Sequence, residues 1–182
     1  MPLAYIPRSL ANTVRSEPVT AIYLCASAPT EVAAPLEPGA SISGKMTNHW
    51  VMYLAASSTR SICFDPSPTG PGNSLDLIIT SKNISHINSA VKSMYLTTTA
   101  DLKIGNVLDH ITNCKYDKYT FSAGGQGCRF WLYSVVESLS SAGYITDSSE
   151  ADAAKEALGI VWDIEEGRVP AVQQTGMTKG TF

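Results

Sequence analysis

A chain of 182 residues is long enough for one folded unit with a substantial core. Its net charge of −3 and the lack of any Lys/Arg run argue against a nucleic-acid partner. No apolar run approaches the ~20 residues that stable membrane insertion needs, and 44% hydrophobic with 16% charged residues describes a globular chain.

In chain order, residues 1–18 read as an extended or irregular arm, with prolines at 2 and 7 and none of the continuous apolar core of a secretory signal. β-branched and aromatic residues in short runs predict strands over 19–25 (VTAIYLC), 48–54 (NHWVMYL), 61–65 (SICFD), 75–80 (LDLIIT) and 93–98 (SMYLTT). Proline and glycine punctuate the intervals 28–45 and 66–74, which read as loops; lids are one use open to them, with no composition signal for it. Thr99 stands where a helix over 100–112 would be capped. From Cys128 onward Trp131, Leu132, Val135, Val136 and Leu139 recur at helical spacing, and Gly143 follows as a stop. A further helix is expected over 148–159, opened by Ser148 or Ser149, with an irregular tail over 165–182. The expected fold class is α+β, an antiparallel β-sheet of about five strands packed against helices in a single domain.

Cysteines stand at 25, 63, 114 and 128, with no C-x-x-C pair and no zinc-finger spacing. They read as reduced thiols of a cytoplasmic protein, Cys25 and Cys63 as ordinary buried residues. Cys128 differs, because the stretch SAGGQGCRFW places it where a flexible turn becomes a helix. Free N–H groups and the positive end of the helix dipole stabilise a thiolate there, and Arg129 adds a neighbouring cation. Gly127 permits close backbone approach to a substrate oxygen, and the Gln126 amide is a suitable second donor. The alternative is a buried thiol at the base of a helix, with Gly127 needed only for the turn.

A nucleophilic thiol needs a base, and of His49, His86 and His110 only His49 opens an apolar strand. With the hairpin turn centred on Ser57, residues whose numbers sum to 114 oppose each other, which sets His49 across from Asp65. Asp65 would then hold one imidazole nitrogen while the other faces the thiol, although Asp65-Pro66-Ser67 also reads as a turn start. Arg129 is open to pairing with a substrate carboxylate or to standing as a solvated charge. Trp50, Tyr53 and Trp131 are candidate substrate-binding walls, and for Trp131 the helical stripe favours the core. No phosphate-binding glycine motif and no carboxylate spacing for a metal occurs, so neither metal nor cofactor is implied.

The run His49-Trp50-Val51-Met52-Tyr53 resembles the H-W-x-(hydrophobic)-Y strand motif of the lecithin:retinol acyltransferase-like proteins, circularly permuted relatives of NlpC-type, papain-like cysteine peptidases. That group has a histidine strand first, a second polar residue on the next strand, and a cysteine later at a helix start. His49, Asp65 and Cys128 follow this order over roughly residues 45–140. The chain has G-C-R-F-W where those acyltransferases typically have N-C-E-H-F, and Asp65 where they carry a histidine. The wider pattern NHW…GCRFW…W…P…G also resembles an uncharacterised fungal family, some of whose kind accompany specialised metabolism.

What the resemblance implies is a permuted papain-like fold and a cysteine enzyme acting by acyl transfer or hydrolysis on an amide, ester or thioester of a small metabolite. Cys128 would be the nucleophile, His49 the base and Asp65 its orienter. Two other readings stay open. One is a cofactor-free cyclase or isomerase using His49 in the same pocket. The other is a non-catalytic small-molecule-binding or interaction module.

Overall fold

The structure, a computed structural model, describes residues 3–31, 45–122, 126–164 and 167–182. Most of the loop expected over 28–45, and Gly124 and Gly125 of the cysteine turn, lie outside those residues. The fold is α+β. Strands β1 (Leu3–Ile6), β2 (Ala21–Ala26), β5 (Trp50–Ser57), β6 (Arg60–Ser67), β7 (Asp76–Lys82) and β8 (Lys92–Leu96) form one six-stranded sheet in the order β1-β7-β6-β5-β2-β8. All its pairings are antiparallel except that of β1 with β7. Two short strands, β3 (Thr30–Glu31) and β4 (Met46–Thr47), pair separately.

Strand alternation divides the sheet into two faces. Trp50, Met52 and Leu54 of β5, Ile62 and Phe64 of β6, and Ile22 and Leu24 of β2 join the main core. Cys25, Tyr53 and Cys63 form a small second cluster on the opposite face. Helices α1 (Ile104–Asn113), α2 (Cys128–Ser141) and α3 (Ser148–Leu158) complete the fold. The main core receives Trp131, Leu132, Val135, Val136 and Leu139 of α2, all fully buried. Each of the aliphatic ones contributes about 1.5–3 kcal/mol through removal from water. Gly143 at φ 76 stops α2 in the left-handed conformation, and Tyr144 N–H returns to the Leu139 carbonyl.

Two expectations need correcting. The N-terminal arm is not merely irregular, because Leu3–Ile6 adds an edge strand and Arg8–Asn12 and Val14–Ser16 are 3-10 turns. Helix α1 starts at Ile104 rather than near 100, without a cap from Thr99. Residues before it are committed elsewhere: Val19 N–H donates to the Leu102 carbonyl at 2.7 Å, and Ile104 N–H to the Glu17 carbonyl at 3.0 Å. The helix then opens at Lys103, whose N–H donates to the Asn106 side chain at 2.9 Å. For α3 the cap is Asp147, one residue before the expected serines, accepting from Ser149 N–H at 2.9 Å and Glu150 N–H at 3.3 Å. Among the described residues no helix is long and apolar enough to cross a membrane.

Candidate active site

The N-terminus of α2 abuts the chain at 48–50, where β5 begins. Cys128 Sγ lies 3.9 Å from the Asn48 carbonyl, and the Trp50 backbone N–H hydrogen-bonds the sulfur. Asn48 is fully buried and fixes this segment through three bonds. Its amide nitrogen donates to the carbonyls of Ser27 at 2.8 Å and Trp162 at 2.9 Å, and its oxygen accepts from Trp162 N–H at 2.7 Å. The strand that presents His49 is therefore tied on both sides before the histidine is reached.

His49 Nε2 and Asp65 Oδ1 are 2.7 Å apart. The register that achieves this differs from the expected one. Met52 opposes Phe64, Tyr53 opposes Cys63 and Leu54 opposes Ile62, with an irregularity between Ala55 and Ser57 at the turn. Paired numbers thus sum to 116 rather than 114. A shift of two residues keeps every side chain on its expected face, so Asp65 remains on the side of His49 and reaches it diagonally. Asp65 is not a turn start, since β6 runs on through Pro66 to Ser67.

With Nε2 engaged by Asp65, the second ring nitrogen is left for Cys128, which also hydrogen-bonds the imidazole. Burial by itself would lower the His49 pKa. Bonds to Asp65 and then to Cys128, with the charges of both, outweigh it and raise the pKa to about 10. At Cys128 burial pushes the thiol up, but the His49 hydrogen bond and charge, the Trp50 N–H and the Arg129 charge together bring it below its ordinary value. Both shifts favour the thiolate–imidazolium form of the pair over the neutral one.

Gly127 caps α2 at φ 146, a region few side chains adopt, and a Cβ there would run into the Tyr119 hydroxyl. That hydroxyl donates to the Gly127 carbonyl at 3.2 Å and accepts from Gly180 N–H at 2.8 Å. Gln126 holds its backbone against Ser122 through two bonds, 3.0 Å and 3.2 Å, and its side-chain oxygen accepts from the Thr178 hydroxyl at 3.1 Å. A cleft of about 120 Å³ opens beside the sulfur, lined by Thr30, Thr47, Asn48, His49, Gln126, Gly127, Cys128, Arg129 and Thr178.

The structure thus brings Cys128, His49, Asp65, Gln126 and Gly127 together, sets Arg129 at the cleft with its guanidinium already engaged, and places Trp50, Trp131 and Tyr53 in the two cores. Arg129 is neither a solvated charge nor free to pair with a carboxylate. It is only 4% exposed, and its guanidinium donates to Thr175 O and Oγ1 at 3.0 and 2.9 Å, to Gly176 O at 2.9 Å and to Leu158 O at 3.5 Å. Trp131 and Trp50 are core residues rather than cleft walls, and Trp131 Nε1 donates to the Tyr116 carbonyl at 2.9 Å. Tyr53 is in the cluster on the opposite face. His86 stacks on Tyr23 at 4.0 Å, and His110 Nε2 is 2.7 Å from the Ser138 hydroxyl.

Sequence reasoning missed Thr30, Thr47, Tyr119, Thr178 and the anchoring part of Asn48. Asn48 carried a signal, a polar residue directly before His49 in an apolar strand. The lone threonines, Thr30 on β3, Thr47 on β4 and Thr178 in the C-terminal segment, carried none.

Among the described residues no group of three or more His, Cys, Asp or Glu side chains is placed to hold a metal ion. The α+β fold thus places a cysteine at a helix N-terminus against a carboxylate-bound histidine that directly precedes a neighbouring strand. The chain belongs to the family described as a domain of unknown function, DUF7770, whose profile matches residues 23–182. No curated protein and no solved structure matches it.

Proposed function

We propose that this protein is a cysteine-dependent enzyme that transfers or hydrolyses a short acyl group, with a permuted papain-like arrangement of its site. The observation that carries the reading is the His49–Asp65 contact of 2.7 Å beside a thiol that shares the same imidazole. The Cys128 thiolate attacks the carbonyl carbon of an amide, ester or thioester. The carbonyl π pair moves onto oxygen, where the free N–H groups of the first turn of α2 and the Gln126 amide stabilise it. Collapse re-forms the carbonyl and breaks the bond to the leaving group, which takes the proton from His49. The product is a thioester on Cys128. Water, or an alcohol or amine acceptor, then loses a proton to His49 and attacks the thioester, releasing the acyl product and restoring the ion pair. Asp65 keeps the imidazole in one orientation throughout and favours its charged form.

The cleft supports a small substrate portion. Its volume is about 120 Å³, and Thr30, Thr47 and Thr178 give it hydroxyl-bearing walls, while the Arg129 charge is committed to carbonyl oxygens. Incubation with p-nitrophenyl acetate followed by peptide mass mapping tests the reading. Acetylation is expected on Cys128 in the wild type and is expected to vanish in Cys128→Ala and fall at least tenfold in His49→Ala. Acetylation confined to other residues, or unchanged in His49→Ala, would overturn it.

A further inference from the structure

The C-terminal segment contributes to the cleft through Thr178. We infer that Thr178 is a positioning residue for acyl transfer, holding the Gln126 side-chain oxygen so that the amide N–H groups serve the developing oxyanion on the acyl carbonyl. The inference rests on the acyl-transfer reading above and assigns a role to a part of the chain remote in sequence from the cysteine.

A glutamine side chain is a poor oxyanion donor unless its terminal amide is fixed, because its last torsion is broad and roughly two-fold. Here both ends of Gln126 are held. Its backbone is tied to Ser122, and its Oε1 takes the Thr178 hydroxyl proton at 3.1 Å. Among the described residues the amide nitrogen has no acceptor of its own, so its two N–H groups are left for an occupant of the cleft that Gln126 and Thr178 share with Cys128.

Thr178 is itself fixed from both flanks. Upstream, Thr175 and Gly176 accept from buried Arg129, and Thr175 N–H and Oγ1–H both donate to the Met46 carbonyl at 3.0 Å. Downstream, Gly180 N–H donates to Tyr119 Oη, and Thr181 exchanges backbone bonds of 2.8 and 2.9 Å with Thr120. Phe182 then packs against Tyr116 and Tyr119. The same Tyr119 holds the Gly127 carbonyl, so the segment and the cysteine turn share one buried anchor. Arg129, adjacent to the nucleophile, thereby ties the segment to the first turn of α2.

The test compares two reactions of Cys128. Acetylation by p-nitrophenyl acetate passes through a tetrahedral oxyanion, forms the thioester and expels p-nitrophenolate. Alkylation by iodoacetamide displaces iodide at a saturated carbon and makes no oxyanion. Losing one oxyanion donor outright costs on the order of 10²–10³ in rate, so misorienting it is expected to cost about tenfold. Thr178→Val should slow acetylation by about that factor and leave alkylation within about twofold of wild type. Thr178→Ser should restore acetylation, and Thr178→Val should add nothing in a Gln126→Ala background.

Equal slowing of both reactions in Thr178→Val, no slowing of acetylation, or an additive loss with Gln126→Ala would each overturn the inference. If wild-type Cys128 is not acetylated at all, the acyl-transfer reading falls and the inference falls with it. If the wild type is acetylated and Thr178→Val matches it, the inference alone falls.

Discussion

His49 keeps its proton to about pH 10 because two acceptors share its ring, and each depends on the other. The Asp65 hydrogen bond raises the imidazole, and the resulting charge lowers the Cys128 thiol. Removing the carboxylate charge should therefore move both groups toward each other. In Asp65→Asn the His49 imidazole resonance is expected to titrate below its wild-type value of about 10, and the midpoint of Cys128 alkylation to rise. An imidazole titration followed by NMR alongside an alkylation profile checks both halves. An unchanged His49 titration would show that Asp65 is not the partner that sets it. At Gly127 the controlling fact is steric. Gly127→Ala brings a Cβ against the Tyr119 hydroxyl at a φ of 146, which is expected to destabilise the fold by about 1–3 kcal/mol, measurable by denaturant unfolding.

At the scale of elements, the site depends on one strand end meeting one helix start, and Asn48 joins them. It is fully buried and bonds Ser27 beyond β2 and Trp162 beyond α3. Asn48→Ala leaves the Trp162 N–H and carbonyl unpaired in the interior and is expected to cost about 2 kcal/mol. It should also slow Cys128 alkylation at neutral pH, since the carbonyl facing the sulfur and the neighbouring His49 both shift; unfolding curves and alkylation rates test the two effects separately.

The elements that form this junction were legible because their signals are local. Five strands of the sheet and helices α1, α2 and α3 follow from periodicity and punctuation, while the caps of α1 and α3 fall on other residues than expected. Cys128 at the start of α2 and His49 at the start of β5 follow from where apolar patterns begin. The pairing of His49 with Asp65 was reached through a register two residues in error. It survived because a strand's faces repeat every two residues, so an even slip preserves the face while an odd one would have reversed it. Harder to read was β1, a four-residue edge strand whose partner β7 lies some 70 residues away. The delayed start of α1 was hidden for a similar reason: residues 102–104 bond to residues 17–19 rather than to their own helix. Arg129 looked like a surface charge in a first helical turn. The return of the C-terminal segment, together with the Leu158 carbonyl at the end of α3, supplies the acceptors that allow it to be buried.

The whole molecule separates its thiols by face. Cys25 and Cys63 belong to the cluster on the side of the sheet away from the main core, where burial raises both thiols above their ordinary values. Cys128 stands at the junction of sheet and helix, where the same penalty is outweighed by an imidazolium, a backbone N–H and a buried guanidinium. The C-terminal segment closes over this junction from Gln174 to Phe182, bridging to Met46 at one end and to Thr120 at the other. The architecture therefore sets one thiol beside a small cleft, buries two others on the far side of the sheet and leaves Cys114 exposed at the end of α1.

The most direct test is the pH dependence of iodoacetamide alkylation, resolved by cysteine in wild type and in His49→Ala. A folded-state thiol pKa below the ordinary value of about 8.5 means that alkylation holds to lower pH than for a free thiol and falls away as pH drops through the lowered value. Cys128 is expected to react at lower pH than exposed Cys114, with a midpoint below the ordinary thiol value, while buried Cys25 and Cys63 react only after unfolding. In His49→Ala the Cys128 midpoint should rise past its wild-type value, because burial is then opposed only by the Trp50 N–H and Arg129. A Cys128 midpoint at or above about 8.5 in the wild type, or one that His49→Ala leaves in place, would contradict the thiolate–imidazolium pair on which the proposed chemistry depends.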